Sequence, residues 1–141
     1  MSKLLQISPV IFPLETAQSI TKRAMEKIAE IGVPYTLTVV DGAGNLVLAT
    51  RMDGAAIASI DTSLAKARTA IYFGATTKEL GNAVVDKGPL ATIQTSASVP
   101  LAFVAGGIPI RDSAGVVVGG LGAGGASPEQ DHEVATYALG L

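Results

Sequence analysis

The side chains of this chain best suited to chemistry gather at one predicted strand-to-helix corner, within residues 46–73. Five charged residues occur there: Arg51, Asp53, Asp61, Lys66 and Arg68. Only 16% of the chain is charged, against roughly 25% in ordinary soluble domains. Cations beside carboxylates can bind a small polar molecule or transfer its protons. The corner therefore indicates the wall of a ligand site or a subunit contact.

Two acids stand at the start of the last predicted helix, Glu129 and Asp131. Residues two apart do not share a helix face. Both acids suit the positive end of the helix dipole. The alternative is that one of them points into a pocket and meets a cation of the corner. Lys66 and Arg68 are also two apart, so only one of them is expected to reach that pocket.

His132 is the only histidine of the chain, and it lies in the first turn of the same helix. One histidine cannot form a metal site built from several imidazoles, and no H-E-x-x-H motif occurs. Two interpretations stay open: an exposed residue among acids, or a ligand to haem or another metal.

A glycine-rich run, Gly120 to Gly125, matches G-x-G-x-x-G after a predicted strand and before a helix. A dinucleotide site needs a βαβ unit and an acid about 20 residues later on a second strand. The element that follows here is the final helix, so that interpretation is disfavoured. The glycines could let the strand approach a helix or another subunit. Alternatively, the amides of residues 124–127 and the helix N-terminus could hold a carboxylate or phosphate.

Composition excludes several classes of function. The net charge is −2, aromatic residues make up 4% and no basic run occurs, so we expect no nucleic-acid or membrane partner. Zero cysteines exclude disulfides, thiolate catalysis and cysteine-ligated metals. The first six residues lack the pattern of a signal peptide, which predicts a cytoplasmic protein. Too few charges to cover the surface predict a homo-oligomer.

The first half of the chain predicts a helix and a hairpin. Apolar residues repeat at three and four from Leu14 onward, and Gly32 ends the helix. Residues 35–41 alternate as a half-buried strand, and residues 46–52 return after a glycine-rich turn. Residues 1–12 contain Pro9 and are expected to be irregular or an edge strand.

The middle of the chain predicts two helices. The buried stripe of the first is expected at Ile57, Ile60, Leu64, Ala67 and Ile71. Ser59 or Asp61 is expected near its N-terminal cap, and Gly74 ends it. A capping box from Thr76 to Glu79 starts a short third helix. Residues 90–100 are expected to be a loop, and residues 101–105 a short strand.

The last part predicts a second hairpin and a helix. Residues 108–111 and 116–122 pair, the latter as a central strand, with Pro109 at an edge or bulge. Ser127 caps the final helix, with Gln130 closing the box. Residues 1–141 thus form a single α+β domain of order α-β-β-α-α-β-β-α. We expect an antiparallel sheet of about five strands flanked by helices.

Several short motifs in this order and spacing resemble the GlcG/HbpS family, DUF336, which includes the C-terminal domain of PduO-type proteins. They are Val40–Val47, Arg51–Ala55, Ser59–Asp61, Ala65–Ala70, Gly106–Ile110, Gly119–Gly122 and Ser127–Asp131. The resemblance covers essentially the whole chain. It implies a profilin-like domain, homo-oligomers, a place in operons for glycolate, propanediol or glycerol use, and haem binding through a histidine in some members.

The resemblance also implies which residues face a ligand. The matched pocket residues are Arg51, Asp53, Asp61, Lys66, Arg68, Glu129 and Asp131, and His132 is the one residue available as a haem ligand. The leading hypothesis is an oligomeric, non-enzymatic small-molecule-binding accessory protein, with haem or a tetrapyrrole as the named ligand. The alternative is an enzyme acting on a small hydroxy acid, diol or aldehyde, with Glu129 or Asp131 as general base. A third is a purely structural role in assembly.

Overall fold

The architecture is that of a computed structural model, which describes residues 11–141. The helices are α1 (Leu14–Ile31), α2 (Ala58–Phe73), α3 (Thr77–Leu80) and α4 (Pro128–Leu139). The strands are β1 (Thr36–Asp41), β2 (Leu46–Arg51), β3 (Gly107–Arg111) and β4 (Val117–Gly124). Single 3-10 turns occupy Gly81–Ala83 and Ile93–Ser96. The expectation for residues 1–10 lies outside the described residues.

The sheet is antiparallel throughout, with strand order β2-β1-β4-β3. The predicted α+β class, the order of elements and both hairpins are confirmed, and β4 is central as expected. Pro109 lies on the edge strand β3, where a missing amide is tolerated. Because β4 pairs with β1 in the antiparallel sense, the glycine run belongs to no βαβ unit.

Within residues 11–141 the sheet has four strands where about five were expected, because residues 101–105 form no strand. The amide of Ala102 donates to the hydroxyl of Thr69, and the carbonyl of Val104 accepts from Thr77. Side chains of α2 and α3 thus take the backbone bonds that a neighbouring strand would need.

β1 is buried on both faces, so the predicted half-buried strand was wrong. Thr36 and Thr38 face α2, where each hydroxyl lies 2.8 Å from a serine hydroxyl, on Ser59 and Ser63. The alternating threonines of β1 therefore do not mark a solvent-exposed face. Both faces are buried, and the threonine hydroxyls on one of them hydrogen-bond to serine hydroxyls of α2.

The predicted apolar stripe of α2 was wrong at its first turn. Ile57 is 78% and Ile60 is 41% exposed, while Ser59 and Ser63 are buried. A Cβ at Gly122 of β4 would collide with the carbonyl oxygen of Ser63. The helix therefore packs on a face of β4 formed by Gly120 and Gly122, and small residues of α2 line the contact.

The opposite face of the sheet carries the main hydrophobic core. Leu37, Val39 and Leu121 point away from α2 and pack with buried residues of α1 and α4. α2 thus covers one face of the sheet, and α1 and α4 cover the other.

The helix ends follow the sequence at most positions. Gly32 adopts φ 77° after α1, and both predicted capping boxes form, at Thr76 and Ser127. α2 has no side-chain cap, so the expected cap at Ser59 or Asp61 was wrong. Ser59 instead bonds Thr36. Among residues 11–141, no helix combines the length and the apolarity needed to cross a bilayer.

Candidate functional site

One buried ion pair joins the two helical layers. The Nζ atom of Lys66 on α2 lies 2.8 Å from Oδ2 of Asp131 on α4. Their side chains are 6% and 5% exposed. Burying two charges costs several kcal/mol per ion unless geometry and further hydrogen bonds compensate. The surrounding groups must therefore offset the cost of removing both charges from water.

Gly106 gives the lysine room to pass from one face of the sheet to the other. Its φ of +127° is a backbone conformation that favours glycine. A Cβ there would lie 3.0 Å from Lys66 Nζ and 2.9 Å from the Cβ of Asp131. The glycine just before β3 thus leaves the space that the ion pair occupies.

Both partners make a second hydrogen bond to the backbone. Lys66 Nζ donates to the carbonyl of Ala123 at 3.0 Å, and Asp131 Oδ1 accepts from the amide of Ala126 at 3.0 Å. The next amide, that of Ser127, donates to Gln130. The two amides at the start of α4 that could have bound a carboxylate or phosphate thus donate to side chains of this chain, Asp131 and Gln130.

Tyr35 lies beside Asp131 at the inner side of the pair. It is fully buried, and its hydroxyl has no hydrogen-bond partner among the described residues. Burial raises the pKa of the Tyr35 phenol, and the nearby Asp131 carboxylate raises it further. The phenol stays neutral and keeps a hydrogen to donate.

A cavity of about 310 Å³ opens beside the ion pair, and we call it the lysine cavity. Lys66 and Asp131 form its polar wall. The rest of its lining consists of small or apolar residues and two hydroxyls: Ala56, Ala58, Ser59, Thr62, Ala102, Val104, Gly124, Gly125, Ala126 and Pro128. The start of α2, the segment before β3 and the start of α4 meet there.

The other predicted pocket residues do not line this cavity. Arg51, Asp53, Asp61 and Glu129 are exposed. Arg51 reaches only the carbonyl of Ala55, at 3.4 Å. Arg68 is half-buried and donates to the carbonyl of Gly44 in the first hairpin. Of the seven residues, only Lys66 and Asp131 come together.

His132 is half-buried, and its Nδ1 is a buried nitrogen without a hydrogen-bond partner within residues 11–141. The first interpretation of His132, an exposed residue among acids, was therefore wrong. Burial lowers the pKa of His132, and the Lys78 ammonium lowers it further, against smaller opposing effects of Glu79 and Glu133. The ring is neutral near pH 7, which is the form that binds metals.

A second cavity of about 340 Å³ lies between β3, α3 and the end of α4, and we call it the arginine cleft. Its apolar wall consists of Ile108, Pro109, Ile110, Leu139 and Leu141. Arg111, Thr76 and Glu79 supply polar groups. His132 stands two turns before Leu139 on α4, so the two side chains share a helix face.

Sequence reasoning missed Tyr35 and Gly106 as parts of the site. Gly106 had a usable signal, since a Gly-Gly pair before a strand predicts an unusual backbone. Tyr35 had none, because a tyrosine starting a strand is ordinary core.

Comparison with known proteins gives a family match over nearly the whole chain. The model of a family described as Haem degrading protein HbpS-like matches residues 12–140. The chain is 35% identical over 139 residues to an uncharacterised 15.0 kDa protein from the dhaT-dhaS intergenic region of Citrobacter freundii. That match covers 99% of this chain and 96% of the other.

Solved structures are similar along the same length. The Klebsiella pneumoniae protein ORFY, of DUF336, has a TM-score of 0.87 and 32% identity, covering 95% of this chain and 93% of that one. A structure described as a PduOC:haem complex has a TM-score of 0.86 and 27% identity, covering 93% and 94%. The chain also matches the corrinoid adenosyltransferases PduO of Salmonella typhimurium and C. freundii, but spans only 40% and 36% of their lengths.

Proposed function

Because the chain belongs to the HbpS-like family, we propose that it is an accessory protein that binds haem or a related tetrapyrrole. The observation that carries this proposal is the likeness to the PduOC:haem complex over 93% of the chain. The proposal includes a homo-oligomer in the cytoplasm that serves glycolate, diol or glycerol metabolism. The absence of cysteine and the dhaT-dhaS location of the C. freundii relative support it.

His132 is the residue of this chain that would bind the haem iron. His132 is neutral near pH 7, and its buried Nδ1 leaves Nε2 as the nitrogen that iron can approach. His132 does not line the arginine cleft, but Leu139 on the same face of α4 does, and the cleft would offer apolar side chains to one edge of the macrocycle and Arg111 to a propionate. Bound haem would supply a redox-active iron, while the chain would hold it and limit its access to water.

Haemin titration followed at the Soret band tests this proposal. We expect a saturable Soret shift with the wild-type chain and its loss or displacement with His132→Ala. Gln18→Ala, at an exposed position of α1, is the control and should bind as the wild type does. No Soret change with the wild-type chain would remove haem binding, and an unchanged shift in His132→Ala would remove ligation by His132.

A second candidate is an enzyme acting on a small hydroxy acid, diol or aldehyde. It is favoured by one observation, a buried carboxylate beside a cation in a cavity wall. Asp131 is its general base and Lys66 its binding group, since Glu129 lies in solvent. Both Asp131 oxygens already accept hydrogen bonds, so the substrate must displace one. Loss of turnover in Asp131→Asn without loss of fold tests this role.

A further inference from the structure

Lys66 has one ammonium hydrogen to spare. A lysine ammonium has three donors, and among residues 11–141 its Nζ has two acceptors, the carbonyl of Ala123 and the carboxylate of Asp131. The residue is only 4% exposed, and it lines the lysine cavity. In the free chain, water in the cavity can accept the third hydrogen, and a ligand oxygen that enters the cavity would replace that water.

The charges of the cavity wall select against ions. Lys66 and Asp131 are its two charged residues, and their opposite charges lie 2.8 Å apart. An anionic ligand gains little net attraction from such a pair and must also lose its own hydration. An uncharged oxygen acceptor loses less hydration free energy on entering the cavity, and it can still accept the third hydrogen bond of the ammonium.

The size and lining of the cavity define the rest of the ligand. Its volume of about 310 Å³ is at the small end of ligand pockets, which span roughly 300–1,000 Å³. Ala58, Ala102 and Val104 give it apolar walls. Ser59 is already committed to Thr36, whereas Thr62 offers a second hydroxyl at the rim.

We propose that the lysine cavity binds a small uncharged carbonyl compound or alcohol, whose oxygen accepts the third ammonium hydrogen of Lys66. This inference uses the same cavity as the second candidate function, and it rests on that function in no other way. It concerns binding alone and requires no reaction. It is separate from the haem proposal, since His132 is not among the residues of the cavity wall.

Amide NMR of the ¹⁵N-labelled chain tests it with an uncharged and an anionic probe that share a five-membered carbon ring, cyclopentanone and cyclopentanecarboxylate. We expect cyclopentanone to shift the amides of Gly124 and Ala126 with a saturable Kd in about the millimolar range, as suits six non-hydrogen atoms. Cyclopentanol should behave similarly, and the carboxylate should give no saturable shift.

Two matched variants locate the binding. Ala102 is a half-buried residue of the segment before β3 that lines the cavity, so Ala102→Phe should fill it. We expect it to weaken cyclopentanone binding about tenfold or more. Ala29→Phe makes the same change at an exposed position of α1 and should leave the Kd unaltered. Equal binding of the carboxylate, no saturable shift, or full affinity in Ala102→Phe would each overturn the proposal.

The result is independent of the haemin titration. Cyclopentanone binding without a Soret shift would leave this inference standing and remove the proposed function. A Soret shift without cyclopentanone binding would leave the proposed function standing and remove this inference.

Discussion

The ammonium of Lys66 lies 2.8 Å from the carboxylate of Asp131, and this contact joins α2 on one face of the sheet to α4 on the other. The two residues are 65 positions apart in the chain. Their contact brings the start of α4 to the lysine cavity, so the same pair stabilises the fold and forms the polar wall of the site.

Removing one partner of this pair should cost much more than removing both. Lys66→Met leaves Asp131 as an unpaired buried charge, and we expect a loss of about 3–5 kcal/mol in the free energy of unfolding. The double variant Lys66→Met/Asp131→Asn removes that charge and keeps an acceptor for the amide of Ala126, so it should recover most of the loss. Urea denaturation measures both.

An exposed ion pair supplies the matched control. Lys27 and Glu30 are 3.0 Å apart on the surface of α1. Exposed pairs contribute little, so Lys27→Met should leave the unfolding midpoint unchanged. Equal losses in Lys66→Met and Lys27→Met would show that the buried pair has no special role.

The glycine contact between β4 and α2 should tolerate no side chain. In Gly122→Ala the new Cβ meets the carbonyl of Ser63, and we expect a loss of about 1–3 kcal/mol or more from overpacking. Gly81→Ala is the control, because its Cβ would meet only one atom, at 3.4 Å, and its backbone is right-handed helical. Thermal unfolding should show the Gly122 variant well below the Gly81 variant, and similar midpoints would contradict the close approach.

The sequence predicted those parts of the fold that depend on local signals. Gly32 and Ser127 mark helix ends because their backbone and capping geometry involve only near neighbours. The buried face of α2 could not be found in this way. Ile57 and Ile60 match a helical stripe, yet Ser59 is inside, because its partner Thr36 lies 23 residues away.

The same limit applies to the candidate site. Charge and spacing singled out Lys66 and Asp131, but also five residues that lie elsewhere. Which cation meets which acid depends on Gly106, where the chain leaves room between the layers. The neighbours of His132 likewise come from elsewhere in the chain, since the charges of Lys78 and Glu79 on α3 act on its pKa.

His132 should make stability depend on pH. Its pKa is lowered from 6.5 in the folded state, first by burial and then by Lys78, so the unfolded chain binds the proton more readily. Stability is therefore full above pH 6.5 and is lost as the pH falls toward the folded pKa. In His132→Gln the slope of unfolding free energy against pH should flatten between pH 5 and 7, since the chain has no other histidine. An unchanged slope would assign the pH dependence to other groups.

The proposed homo-oligomer should depend on the start of α2. Ile57 and Ile60 expose 78% and 41% of their surface beside the lysine cavity, and exposed apolar clusters are typical of subunit contacts. The variant Ile57→Lys/Ile60→Lys should lower the mass measured by light scattering. Val85→Lys, at a residue that is 53% exposed elsewhere, is the control. A wild-type monomer at micromolar concentration would contradict the oligomer.

Paramagnetic broadening by haemin is the most direct test of the central claim, that this chain holds a haem iron through His132. Spectra of the ¹⁵N-labelled chain with haemin would be compared with spectra containing the diamagnetic gallium protoporphyrin. We predict that broadening centres on the amides of Lys78, Glu79 and His132 and leaves Ala29 sharp. Absence of broadening, or broadening centred on Ala58 and Val104 at the lysine cavity, would contradict the account.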